Sequence, residues 1–296
     1  MPIINFFSSK DTSRPKGLLI WDLVILLFII FGLWILTQTA SDILTPFEVG
    51  DKVPISLDPR ALPYYAFRTV VRMFVALFFS LVCAFIFGSL AAKNKAAERI
   101  IIPAVDILQS IPVIGFLEVT FLWFLHVFKG SFLGPEIASI FAVFVSQVWN
   151  LILSFYQSLK TMPRDYDELM RVYQLSSWQR FFRLELPYAA PGLIWNSMLS
   201  LSAGWFFVVA GEAITIANHE VSLPGIGSYI ATATTAGDYH AIYYAIACLF
   251  VVIMLYDRLI FRPLTYALDV RKHSDEYVKP SWVWRLARQS RILNVL

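Results

Sequence analysis

The sequence predicts an all-α membrane protein with six transmembrane helices. Three observations carry that expectation. Of the 296 residues, 58% are hydrophobic and 16% aromatic, and mean hydropathy is positive, a composition typical of chains solvated by lipid. Six stretches reach the roughly 20 mostly apolar residues that a bilayer crossing takes. The 24 Lys and Arg residues divide unevenly between alternate connections, 19 on one side and 5 on the other. By the positive-inside rule the richer side is cytoplasmic.

Residues 1–16 form a polar tail with Lys10, Arg14 and Lys16. The first span is expected over 17–39; it is long and lacks the small-residue cleavage site of a removable signal. A polar stretch, 40–64, leads to a second span over 65–92, with Arg68 and Arg72 at its mouth. A short basic connection follows, with Lys93, Lys95 and Arg99. The third span, 100–128, is interrupted by Pro103, Pro112 and Gly115. A short leading helix, a break near Ile111-Pro112 and then the span proper are expected. Residues 130–135 read as a turn and 136–159 as the fourth span. The fifth span is expected over 191–217, then a loop over 218–227 and a short helix or re-entrant piece over 228–236. The sixth span covers 239–264. The tail beyond is polar and basic, and its 281–293 segment reads equally as an interfacial helix or a solvated tail. Both termini and the connection between spans 4 and 5 then face the cytoplasm.

That connection, Pro163 to Pro187, is the longest polar interruption between spans. Asp165 and Glu168 read as a capping pair. Tyr166, Leu169, Met170 and Tyr173 fall at i, i+3, i+4, i+7 and make one apolar stripe. Asp167, Glu168 and Arg171 lie on the other side at ion-pair spacing. Ser176 and Gln179 open a second short helix, with Trp178, Phe181 and Phe182 on one side and Arg180 and Arg183 on another, and Pro187 is expected to end it. Two amphipathic helices between spans need a surface to bind, either the bilayer interface or an aqueous partner.

Several function classes have no residues to stand on. There is no GxxxxGK[ST] phosphate loop, no HExxH or CxxC spacing, and the four histidines are scattered. No catalytic residue and no metal site are expected. A net charge of +3 is too small to suggest nucleic-acid binding. Cys83 and Cys248 lie inside expected spans and read as small core hydrophobes. What remains is polar material in the spans. Asp22, Asp106, Glu118 and Glu212 are acids at or near membrane depth, where charge is expensive and faces protein or water. Gln147, Asn150 and Ser154 form a polar stripe on span 4. Asn196 and Ser200 share a face of span 5. The two stripes either line a wet path or hydrogen-bond helix to helix. With no Lys or Arg expected deep in a span, an anion would be met by donors such as Gln147, Asn150 and Trp205.

The 163–187 stretch resembles the cytoplasmic coupling loop of ABC-transporter permeases. The family pattern is Glu-Ala-Ala, three residues, Gly, nine residues, then Ile-x-Leu-Pro. Glu168-Leu169-Met170 stands for its first part, Gln174 for the Gly, and Leu184-Glu185-Leu186-Pro187 for its end. Ala, Ala and Gly are replaced while the spacing is kept. WFFVVAGEA over 205–213, LPGIGSYI over 223–230 and ILQSIP over 107–112 resemble importers of nitrate, sulfonates, taurine and related anions, and most of all the duplicated anion-type permeases. The resemblance covers about 65–271. It implies a type I importer permease fold in the bacterial inner membrane: a 1–64 region with tail, first span and periplasmic loop, a 65–271 core, and a 272–296 tail or linker.

The resemblance further implies half of a translocation path for a small solute, an anion of the nitrate, sulfonate or bicarbonate class. The implied partners are a cytoplasmic ABC ATPase dimer, which binds ATP and Mg so that this chain needs no cofactor, a second permease domain (identical, paralogous or fused), and a periplasmic solute-binding protein. Coupling falls to Tyr166, Glu168, Leu169, Met170, Arg171, Tyr173, Gln174, Leu186 and Pro187. The path falls to Gln147, Asn150, Ser154, Asn196, Ser200, Trp205 and Glu212. Two competitors stay open: a secondary transporter or channel driven through Glu212 and Glu118, and a membrane scaffold whose loop only assembles partners.

Overall fold

The computed structural model describes residues 46–47, 54–163, 165–216 and 219–265. The expected first span and the tail beyond 265 lie outside the described residues. One compact unit lies within Ser41–Val252, and 253–265 belong to a second. Among the described residues, four helices are long and apolar enough to cross a bilayer: Pro59–Lys93, Leu133–Lys160, Ser177–Glu212 and Tyr239–Thr265.

The Asp58 side chain accepts the Arg60 N–H and opens a short turn, Pro59–Ala61, that leads into α1, Leu62–Cys83. A wide π-turn, Ala84–Gly88, carries α1 without interruption into α2, Ser89–Lys93. Asn94 stops α2 by turning extended. Its side chain accepts the Ala96 and Ala97 N–H groups and so starts α3, Lys95–Ser110, as Asn does well at an N-cap.

α3 runs straight through Pro103 and stops at Ile111, whose backbone turns extended before Pro112. α4, Val113–Val127, follows. The break near Ile111-Pro112 is therefore present. The leading helix has 16 residues rather than being short, and Pro103 does not interrupt it.

β1, Pro46–Phe47, pairs antiparallel with β2, Gly130–Ser131. α5, Leu133–Lys160, is about 42 Å long at 1.5 Å per residue. α6 covers Asp165–Val172, and α7 covers Ser177–Arg180 behind a complete Ser176/Gln179 capping box. Asp165 is itself the first helical residue of α6.

Pro187 does not end the second short helix. α7 passes through a π-turn, Phe181–Glu185, directly into α8, Leu186–Glu212, and Pro187 sits in the first turn of α8. Proline lacks an N–H and crowds the turn before it; the widened turn stands where that crowding falls. α8 also continues through Pro191, so the fifth span begins earlier than expected.

It also ends earlier. Ala213–Ile216 forms β3 and pairs with β4, His219–Ser222, from Ala213↔Ser222 to Ile216↔His219. The β-branched run Ile214, Thr215, Ile216 favours extended backbone over another helical turn. The all-α expectation is thus amended by two small antiparallel pairs. α9, Ile226–Ala236, ends on Gly237, whose φ of +70° is the left-handed cap glycine allows. α10, Tyr239–Tyr256, continues into a third π-turn, Asp257–Phe261.

Among the described residues, two apolar clusters hold elements together. Phe121 and Leu125 of α4 meet Ala138 and Ala142 of α5 and Leu223. Leu62 and Tyr65 of α1 meet Tyr229 and Ala233 of α9 and Ala241 and Ala245 of α10.

Candidate functional site

α1 and α5 run toward the 161–185 connection and α8 runs away from it. That direction defines a loop end and a far end. Between them α5 and α8 pack antiparallel along a seam of small and polar residues. From the far end, Ser139 lies against Gly211, and Gln147 against Gly204; a Cβ added at either glycine would stand 3.1 Å from the facing polar atom. Asn150 Nδ2 donates to Ser200 Oγ at 2.9 Å and to the Asn196 carbonyl at 3.3 Å. Asn196 Nδ2 donates to Ser154 Oγ at 3.0 Å. Small residues let the backbones approach, and in lipid such contacts replace the hydrophobic effect as the force between helices. Asn150, Ser154, Asn196 and Ser200 thus come together, as the two stripes in the sequence suggest. Gln147 is fully buried against Gly204, with neither amide atom hydrogen-bonded. Trp205 is half-buried on α8.

Glu212 closes the seam at the far end, within a buried ion cluster. Arg72 of α1 grips Glu136 of α5 with two bonds, Nε to Oε2 and Nη2 to Oε1, both 2.7 Å. Its Nη1 donates to Glu212 Oε1 at 2.6 Å and to the Pro224 carbonyl at 3.0 Å. Arg68, one helical turn away, adds a second cation on Glu136. Glu212 also accepts from Thr69 Oγ1 and from the Gly227 N–H, each at 2.7 Å. All four charged residues are at most 3% exposed. Two cations face two anions, so the cluster is neutral, and a two-bond guanidinium–carboxylate fork is the strong form of such a pair. Gly225 lies so close that a Cβ there would overlap the Glu212 carboxyl.

This corrects one sequence expectation. Arg68 and Arg72 are not at the mouth of the second span but buried within it, six and ten residues past the start of α1. Charge inside the bilayer is tolerated where it is paired, and the partners come from two other helices. A signal for them existed. Span order alone puts the start of span 2, the start of span 4 and the end of span 5 on one side, and Arg68, Arg72, Glu136 and Glu212 occupy those positions. The Glu118 side chain lies outside what is described.

At the loop end, Val172, Tyr173 and Trp178 are two-thirds or more exposed. Gln174 takes the left-handed conformation, φ +48°, at the position the resemblance gives to glycine. Glu168 and Pro187 are exposed and Leu186 half-buried. Tyr166 is half-buried, its ring 5.9 Å from that of Tyr188. The side chains of Leu169, Met170 and Arg171 lie outside what is described. The expected apolar side of the second helix divides. Trp178 and Phe182 stay exposed, their rings in tilted contact 4.6 Å apart, while Phe181 turns inward onto Phe85 and Phe155.

Three ion pairs on two carboxylates also mark this end, and the sequence expectations had none of them. Glu185 accepts from Lys93 Nζ at 2.8 Å and from Arg180 Nε at 2.6 Å. Glu98 accepts from Lys160 Nζ at 2.7 Å and from the Tyr156 hydroxyl. These two bonds, Lys160 first, hold the Glu98 carboxyl below its usual range. Among the described residues no cluster of His, Cys, Asp and Glu could hold a metal ion.

Known proteins resemble this chain in sequence and in fold. The chain is 23% identical to the nitrate import permease protein NrtB of Synechocystis over 266 residues, 87% of this chain and 90% of that protein. It is 27% identical to the bicarbonate transport system permease protein CmpB of Synechocystis over 93 residues, 31% of each. Its fold matches a chain of the inward-facing MetNI methionine ABC transporter at a TM-score of 0.57 and 20% identity, covering 74% of this chain and 97% of that one. Residues 84–262, more than half of the chain, match the family described as binding-protein-dependent transport system inner membrane component. The chain belongs to that family, as a membrane permease component of a binding-protein-dependent importer.

Proposed function

We propose that the chain forms half of the translocation path of an ATP-driven importer, with its 163–187 loop as the docking element for a cytoplasmic ATPase dimer. The observation that carries this is the exposed aromatic surface of Tyr173, just after α6, Trp178 on α7 and Phe182 in the π-turn that follows, with α7 opened by a capping box, between long spans. A solvent-facing apolar patch with a defined backbone asks for a partner. The Lys and Arg distribution supports a cytoplasmic side for that loop and both termini. ATP and Mg are held by the ATPase, a second permease domain completes the path, and a periplasmic binding protein delivers the solute. The core of this activity is 65–271, with 1–64 and 272–296 as flanking regions.

The solute we assign is a small anion of the nitrate or bicarbonate class. The names of the relatives support this. The two buried arginines are neutralised within their own cluster, so the hydroxyl and amide groups of the α5–α8 seam are left to meet the anion.

The test is purification of the full chain with its ATPase from native membranes. Tyr173→Asp together with Trp178→Asp should cut recovered ATPase at least tenfold while the chain stays membrane-inserted. Undiminished recovery would defeat the docking role.

A further inference from the structure

We propose that Glu185 is the positioning residue that transmits displacement of the 163–187 loop to the loop end of α1–α2. The proposal rests on the reading of that loop as the ATPase docking element. Glu185 sits inside the π-turn that joins α7 to α8, and it is 1% exposed. Its two carboxylate oxygens are gripped by cations from different segments: Arg180, five residues back in α7, and Lys93, the last residue of α2. A buried carboxylate shared in this way makes a junction. Moving α7 without α2 would part a buried charge from one of its partners, which is strongly unfavourable.

The same turn carries a second attachment. Phe181 packs its ring 5.5 Å from Phe85 and 6.1 Å from Phe155, and Phe85 and Phe155 are 5.2 Å apart. Phe85 belongs to the π-turn between α1 and α2, and Phe155 to α5. Two wide turns therefore meet through the edge-on Phe85–Phe181 contact, and such turns gather at functional places in helices. Trp178, about two turns before Glu185, is 73% exposed and available to a partner. The path from an outside contact to α2 is then short: Trp178 and Arg180 on α7, Glu185, Lys93.

The experiment uses the complete transporter with its co-purifying ATPase. Cys83 and Cys248 are replaced by Ala, and single cysteines are placed at exposed Ser177 on α7 or Lys95 at the start of α3. The maleimide-labelling rate of each is measured with and without Mg-ATP. In this background ATP should change both rates. Glu185→Gln should leave the change at 177 and shrink that at 95 at least fivefold, and Glu185→Asp should restore more than half of it. Lys93→Gln, which retains the Arg180–Glu185 pair, should also shrink the change at 95, and it carries the test if Glu185→Gln does not assemble. An undiminished ATP effect at 95 in either variant overturns the proposal. So does an ATP effect at 177 with none at 95 in the starting background, and that result leaves the docking reading standing. If no ATPase co-purifies, or ATP leaves 177 unchanged in the starting background, the docking reading fails and this inference falls with it.

Discussion

The two ends of the bundle use the same chemistry in opposite ways. At the far end Arg68, Arg72, Glu136 and Glu212 are sealed from solvent and bonded to one another, to Thr69 and to the backbone around Gly227. At the loop end the cations stand partly in water: Lys93 and Lys160 side chains are 41% and 38% exposed. A sealed, many-bonded cluster has no intermediate state and behaves as one body. The Lys160–Glu98 pair, with both partners reached by solvent, can open and be solvated at little cost. The difference suits a bundle that stays fixed where α1, α5, α8 and α9 meet and yields between α3 and α5, while the buried Glu185 carboxylate keeps α7 and α2 together.

The most severe way to break that contrast is to remove Arg72. Arg72→Met leaves Glu136 and Glu212 buried with half their compensation. Breaking a buried pair from one side costs about 3–5 kcal/mol. We expect loss of folded chain from membranes, read by detergent-resistant monodispersity and thermal unfolding. A variant that purifies with unchanged unfolding temperature would mean that the far end is not the rigid one. A smaller effect belongs to the seam between the ends. Asn150→Ala deletes the bonds to Ser200 and to the Asn196 carbonyl, and interhelical hydrogen bonds in membranes are worth about 0.6–2 kcal/mol. The chain should fold with a modestly lower unfolding temperature. A loss as large as that of Arg72→Met would make the seam, rather than the cluster, the main tie.

Local features were legible in the sequence. The Ser176/Gln179 box, the stop before Pro112 and the stripes on spans 4 and 5 depend on neighbours within a few residues. The far-end cluster was legible only through span order, because it joins Arg72 to residues 64 and 140 positions away. Each of its members alone looks like an isolated charge at a span end. Glu185 was hidden differently. It occupies the variable position of the Leu-x-Leu-Pro element, and nothing local says that the end of α2 lies beside it. The continuation of α7 through Pro187 was missed because a π-turn can absorb a proline that sequence rules read as a stop.

The smallest expected effect sharpens the loop end. Glu98 ties α3 to α5 through Lys160 and Tyr156, and all three are reached by solvent. The Glu98 carboxyl is held below its usual range by those bonds. A depressed carboxylate contributes its stabilisation above the unfolded pKa and loses it as pH falls through the folded value. The difference in unfolding temperature between the wild type and Glu98→Gln should therefore be small, constant from neutral pH down to the ordinary glutamate range, and gone once pH falls below the depressed value. It should also shrink in high salt, since exposed charges are screened. A salt-insensitive difference would place Glu98 with the sealed far-end carboxylates, and the bundle would then have two rigid ends and no place to yield.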